Sequence, residues 1–174
     1  AVRWRAVHRD VAIIGAGYVG VPLAQVFADA GRAVLLVDVS AERVAQLNRG
    51  ESYIEDVPSA KLKQLVEERG LRATTDYDEL READAILIAL PTPLSRQREP
   101  DLDAVCSTVR SIATYLRLQQ LVVLESTTYP GTTDELVLPA LEEAGLRVGH
   151  DFFLAFSPER IDPGNKQYQT RNIP

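Results

Sequence analysis

The segment Gly15-Ala16-Gly17-Tyr18-Val19-Gly20 stands between an unbroken apolar run, Val11 to Ile14, and an amphipathic stretch, Val21 to Ala30. A G-x-G-x-x-G spacing where a strand passes into a helix leaves few folds open. The first glycine permits a tight turn, the second lets the backbone approach a pyrophosphate, and the third lets the helix pack on its strand. Amides without partners at the helix start then face the anion. A second apolar run, Ala33 to Val37, ends in Asp38. An acid about 20 residues past the glycines is placed to accept the hydroxyls of an adenosine ribose. Turn and acid in this order imply a βαβ unit that binds a dinucleotide. The carboxylate would repel a 2′-phosphate, and Arg43 comes a helical turn later, so the pattern points to NAD over NADP. Plainer readings stay open at this level: the glycine turn merely joins strand to helix, and Asp38 caps the helix beginning near Ser40. Tyr18 either lines the cofactor's edge or covers the sheet end.

The alternation continues to the end of the chain. Helical patterns cover Ser40 to Arg49 and Ser59 to Arg69, the latter closed by Gly70, and a short strand, Leu71 to Thr74, follows. A short helix near Tyr77 to Glu82 leads to Ala85 to Leu90, whose continuous apolar character suits a parallel strand buried on both faces. Leu102 to Leu116 reads as a helix with Asp101 as N-cap, Leu121 to Leu124 as a strand, Thr132 to Ala144 as a helix kinked by Pro139, and Phe153 to Phe156 as the last strand. Six strands alternating with helices predict an α/β, Rossmann-type doubly wound parallel sheet in the order 3-2-1-4-5-6. Ligands in such a sheet lie beyond the carboxyl ends of the strands. There the sequence places Pro91-Thr92-Pro93, Ser126-Thr127 and Ser157-Pro158-Glu159-Arg160. Read singly, these are turn formers and caps; three such loops converging on one edge point to a site.

Composition narrows the partners. A formal charge of −6 with no basic cluster argues against nucleic acid or an anionic membrane surface. No apolar run approaches the ~20 residues that span a bilayer, and Ala1 to Asp10 lacks a signal peptide's apolar core, so a cytoplasmic protein is expected. Ala1 to Asp10 is set aside as an extension outside the fold, leaving 11–174 as the cofactor domain. One cysteine precludes an internal disulfide, and two histidines far apart in sequence offer no metal-ligand pattern. Cys106 falls inside the helix Leu102 to Leu116 without a histidine or basic neighbour to activate it, so a packing role is expected.

The motifs VAIIGAGYVG (Val11 to Gly20), Pro91-Thr92-Pro93, ESTTYPG (Glu125 to Gly131) and FSPERIDPGN (Phe156 to Asn165) resemble those of the nucleotide-sugar 6-dehydrogenases. That family includes UDP-glucose and GDP-mannose dehydrogenases. Tyr53-Ile54-Glu55-Asp56 and Ser157 to Asn165 are most similar to the branch that oxidises UDP-N-acetylglucosamine or UDP-N-acetylmannosamine. The resemblance implies a two-step, four-electron oxidation of the sugar C6 alcohol to a carboxylate, for surface polysaccharide biosynthesis, with two NAD and a covalent thiohemiacetal and thioester on a cysteine. It maps Tyr18, Val19, Asp38, Arg43, Thr92 and Thr127 to NAD contacts beside Gly15, Gly17 and Gly20. Glu159 corresponds to the glutamate of general acid/base or water handling, with Thr127 able to orient that water, and Arg160 and Ile161 to the substrate site. Without the family, Glu159 reads equally as a loop carboxylate paired with Arg160. Pro163 stands where the UDP-glucose branch carries a second glutamate. The family's domain order places the nucleophilic cysteine, an assisting lysine and asparagine, a dimerising helix and the UDP-binding domain beyond Pro174. A homo-oligomer acting on a UDP-sugar is the resulting expectation. A non-catalytic NAD-binding module and a hydroxyacid or 6-phosphogluconate type of dehydrogenase remain the alternatives.

Overall fold

The structure, a computed structural model, describes residues 8–93 and 100–158. Its elements run β1 (Arg9–Ile14), α1 (Gly20–Asp29), β2 (Val34–Val37), α2 (Ala41–Asn48), α3 (Ser59–Arg69) and β3 (Arg72–Thr74). A 3₁₀ segment (Tyr77–Glu82) then leads into β4 (Ala83–Ile88), α4 (Asp103–Tyr115) and β5 (Leu121–Leu124). A π-helical turn (Thr133–Val137), α5 (Leu138–Glu142) and β6 (Phe153–Phe156) complete the described chain. All six strands are parallel and lie in the order β3-β2-β1-β4-β5-β6, the doubly wound arrangement expected from the alternation. The order reverses between β1 and β4, so a crevice opens beyond their carboxyl ends.

Two apolar layers sandwich the sheet because successive strand residues point to opposite faces. Val11, Ile13, Val34 and Leu36 pack with Val21 and Ala24 of α1 and with Leu62 and Leu65 of α3. Ala12, Ile14, Leu35 and Val37 pack with Val105, Val109 and Ile112 of α4 and with Leu141 of α5. Burial on both faces is what a continuous apolar strand encodes.

Several boundaries differ from the sequence expectation, each for a nonlocal reason. β1 begins at Arg9, so Arg9 and Asp10 belong to the fold. The buried Arg9 guanidinium donates to the carbonyl of Gly70 at 3.0 Å, and the Asp10 carboxylate accepts from the Ala33 amide at 2.7 Å. β4 lies two residues earlier than Ala85 to Leu90: it ends at Ile88, and the chain turns into the site loop after Ala89. The Ala89 amide makes the last ladder bond, to the carbonyl of Ile14, whereas the Leu90 amide donates to the hydroxyl of Ser126. Asp101 is not the N-cap of α4; Leu102 holds that position, and the Asp101 carboxylate accepts from the amide of Asp103 one step inside. The expected helix Thr132 to Ala144 divides in two. Pro139 lacks the N–H that would bond back to Glu135, and the wider π turn before α5 absorbs the missing donor.

Candidate functional site

A cleft of about 490 Å³ opens at the crevice and gathers Gly15, Gly17, Tyr18, Val19, Asp38, Arg43, Thr92 and Thr127 with Ala89, Glu125 and Ser126. Every expected cofactor residue lines it except Gly20, which works from behind. A Cβ on Gly20 would come within 1.8 Å of the Gly15 carbonyl oxygen, so only glycine lets α1 close on the turn. Gly15 sits at φ +104°, a conformation that disfavours side chains, and a Cβ there would lie 2.5 Å from the carbonyl oxygen of Ala89. Gly17 differs from both, for a Cβ there would meet no atom within 4 Å. That open space on the wall of the cleft is the room that the close approach of a pyrophosphate needs.

Asp38 follows β2, is only 8% exposed, and helps to order the turn. Oδ2 accepts from the amide of Ala16 and Oδ1 from the amide of Ser40, both at 2.9 Å. The acid thus couples the glycine turn to the start of α2, while each carboxylate oxygen retains acceptor capacity beyond these bonds. The helix cap itself is Ser40, whose hydroxyl accepts from the amide of Arg43. The Arg43 guanidinium lies 3.9 Å from Asp38 Oδ2 and sits over the ring of Tyr53, 5.7 Å from its centroid. Tyr18 lines the cleft and is 58% exposed.

Tyr53 is the residue that sequence reasoning passed over as a site member, noting it only as part of a branch motif. It comes from the loop between α2 and α3, and its hydroxyl donates to the carbonyl of Ala16 at 2.6 Å. Burial and the neighbouring Asp38 carboxylate push its phenol up to about 12, against the opposing effect of Arg43. An aromatic polar side chain in a loop shortly after the acid was the available signal. Ser126, in the loop after β5, is a second residue passed over as a site member. Buried at the end of β5, its hydroxyl accepts from the Leu90 amide and donates to the carbonyl of Ile88. The Thr92 hydroxyl donates to the carbonyl of Thr127 at 2.6 Å, which ties the loops after β4 and β5 into one wall.

Glu159, Arg160 and Ile161, the expected proton-handling and substrate residues, lie outside the described residues. Cys106 sits half-buried in α4 and borders a cavity of about 80 Å³ with Val105, Val109 and Val137, apart from the cleft. At the amino ends of the central strands β1 and β4, His8, Asp10 and Asp84 bring ligating atoms within 4.8 Å of one another, a grouping that sequence spacing did not disclose. These groups are exposed or half-buried and already paired, Asp84 with His8 and Arg117, and Asp10 with Arg32 and the Ala33 amide. No described helix is long and apolar enough to cross a membrane.

Residues 9–174 match the model of the UDP-glucose/GDP-mannose dehydrogenase family, NAD binding domain. The chain belongs to this family. It is 38% identical to the UDP-N-acetyl-D-glucosamine 6-dehydrogenase of Pseudomonas aeruginosa over 164 residues, 94% of this chain and 38% of that enzyme. A ternary complex of GDP-mannose dehydrogenase from Pseudomonas aeruginosa superposes with a TM-score of 0.84 at 31% identity, covering 88% of this chain and 36% of the other. UDP-D-ManNAc dehydrogenase from Pyrococcus horikoshii gives 0.83 at 35% identity, covering 89% and 37%. The chain therefore spans less than two-fifths of each of these relatives. Its cofactor is NAD, as the family domain is described, and the turn, the acid and the open face of Gly17 fit that group.

Proposed function

We propose that this chain is the NAD-binding part of a nucleotide-sugar 6-dehydrogenase that oxidises the C6 hydroxyl of a UDP-N-acetylhexosamine to the carboxylate. The carrying observation is the single cleft that unites the glycine turn, Asp38 and the Thr92–Thr127 wall. Similarity to dehydrogenases of UDP-N-acetylglucosamine and UDP-N-acetylmannosamine supports the sugar. NAD, when bound, supplies the hydride acceptor for each of the two oxidation steps. The protein's own part is to hold and orient. Gly15, Gly17 and Gly20, with the amides that begin α1, take the pyrophosphate; Asp38 takes the adenosine ribose, with Arg43 beside it; Tyr18 and Val19 cover the cofactor's edge. Thr92 and Thr127 border the far end of the cleft, beyond β4 and β5, where a threonine hydroxyl can orient a water. By correspondence with the family motif, Glu159 handles protons directly or through a water, and Arg160 and Ile161 serve the sugar nucleotide.

The test is calorimetric titration of the chain with NAD and NADP, joined to NADH formation by the intact dehydrogenase from UDP-N-acetylglucosamine, UDP-N-acetylmannosamine and UDP-glucose. Tighter NAD binding, with turnover preferring an N-acetylated sugar, is expected. Glu159→Gln should then leave NAD binding intact and slow turnover by ~10² to 10⁴, the span for a lost acid/base group. Equal NADP affinity would sink the cofactor assignment, and a preference for UDP-glucose would sink the sugar.

A further inference from the structure

Ala16, the residue between the first two glycines, is gripped on both of its backbone groups. Its amide donates to Asp38 at 2.9 Å, and its carbonyl accepts from Tyr53 at 2.6 Å. The two partners lie 22 and 37 residues away in sequence, so the turn is set from outside as well as by its own glycines. A trans peptide is planar, and the chain has no cis bonds among its described residues, so the carbonyl of Ala16 and the amide of Gly17 point in opposite directions from one rigid plane. Whatever pulls on the carbonyl aims the amide. That Gly17 amide has no acceptor among the described residues, and Gly17 lies on the cleft wall with open space before its Cα.

We infer that Tyr53 is a positioning residue for the pyrophosphate: its hydroxyl fixes the Ala16–Gly17 peptide so that the Gly17 amide faces the anion before it arrives. The inference rests on the NAD reading of the cleft. The tyrosine is itself held, since the Arg43 guanidinium over its ring also lies beside Asp38. Arg43, Tyr53, Ala16 and Asp38 therefore close a ring of contacts around the turn. An amide oriented in advance loses no rotational freedom when the anion binds, and this favours affinity at the phosphates rather than at the adenosine.

Tyr53→Phe keeps the ring under Arg43 and deletes only the hydroxyl. Titrating the 174-residue chain with NAD and ADP-ribose by calorimetry, and with adenosine by NMR, separates the two ends of the ligand. The expected result is a loss of about 3- to 10-fold for NAD and ADP-ribose, the scale of one neutral hydrogen bond, with adenosine unchanged. Tyr53→Ala, which also removes the support of Arg43, should weaken NAD further. Wild-type NAD affinity in Tyr53→Phe, or an equal loss for adenosine and NAD, would overturn the role given to the hydroxyl while leaving the NAD site in place. Failure of the wild-type chain to bind NAD would instead overturn the cofactor reading, and this inference with it.

Discussion

Replacing the three motif glycines one at a time by alanine separates folding from cofactor binding. In Gly20→Ala the new methyl would stand 1.8 Å from the Gly15 carbonyl oxygen. That is far inside contact, and the obstruction is backbone that cannot rotate away. Helix α1 has to retreat from β1, and overpacking of this kind costs about 3 kcal/mol or more. For a domain of this size each kcal/mol moves the melting temperature by about 2–4 °C, so a fall of about 6–12 °C is expected. Gly15→Ala adds the strain of a side chain at φ +104° to a 2.5 Å approach to the Ala89 carbonyl oxygen, and it should melt at least as early. Gly17→Ala is the opposite case. Its φ is not positive, nothing lies within 4 Å of the added carbon, and the lower entropy of the unfolded chain favours the fold by about 0.4–1 kcal/mol. Its melting temperature should hold or rise slightly, while NAD affinity drops about 10-fold or more because the methyl occupies the space of the anion. Thermal melts by circular dichroism and calorimetric titration with NAD read the two effects independently. A Gly17→Ala protein that binds NAD like wild type would refute the claim that this open face is the cradle. A Gly20→Ala protein of unchanged melting temperature would refute the account of α1 packing.

Asp38→Ala should lose on both counts: the fully buried Ala16 amide and the Ser40 amide are left without their acceptor at a combined cost of about 2–4 kcal/mol, and NAD affinity falls ~10- to 100-fold. Melts and titrations check it, and a change in affinity alone would mean that the carboxylate does not order the turn. The Tyr53 phenol, raised from 10.0 to about 12 in the fold, binds its proton more tightly folded than unfolded. Stability from this group is therefore full below pH 10 and declines as pH climbs to about 12; Tyr53→Phe should flatten that limb in urea titrations at graded pH, and an identical alkaline limb in the variant would assign the decline to other groups.

The architecture was legible because its signals are local. Runs such as Val34 to Val37 are apolar at every position because both faces of a central parallel strand are covered, and composition alone announces that. The glycine turn and Asp38 were legible for the same reason, since each answers to a constraint of its own backbone or strand end. β4 shows where this fails. Ala89 and Leu90 are as apolar as the strand before them, yet the ladder ends with the Ala89 amide on the Ile14 carbonyl, and the distant Ser126 hydroxyl takes the Leu90 amide. Gln120 shows it again. A polar residue just before β5 reads as surface, yet it is fully buried, donating to the carbonyls of Leu80 and Ala83 and accepting from the amide of Arg117. A buried amide is tolerated only when its partners converge, and convergence is a property of the fold.

The cleft carries the same lesson into function. Gly15 and Gly20 answer to the backbone of the turn, Gly17 and Asp38 to the ligand, and all four stand at a fixed local spacing that can be read from one chain. Tyr53, Ser126 and the Thr92–Thr127 link answer to the loops they hold, and loops from different crossovers are brought together by the sheet and not by sequence spacing. Pre-organisation of this site is therefore a tertiary property laid over a local motif. A chain with an intact G-x-G-x-x-G and its acid but without the Tyr53 hydroxyl on Ala16 would keep the turn and lose part of its aim. For that reason an unaltered glycine motif is insufficient evidence of full cofactor affinity, and residues far from it in sequence deserve the same mutational test.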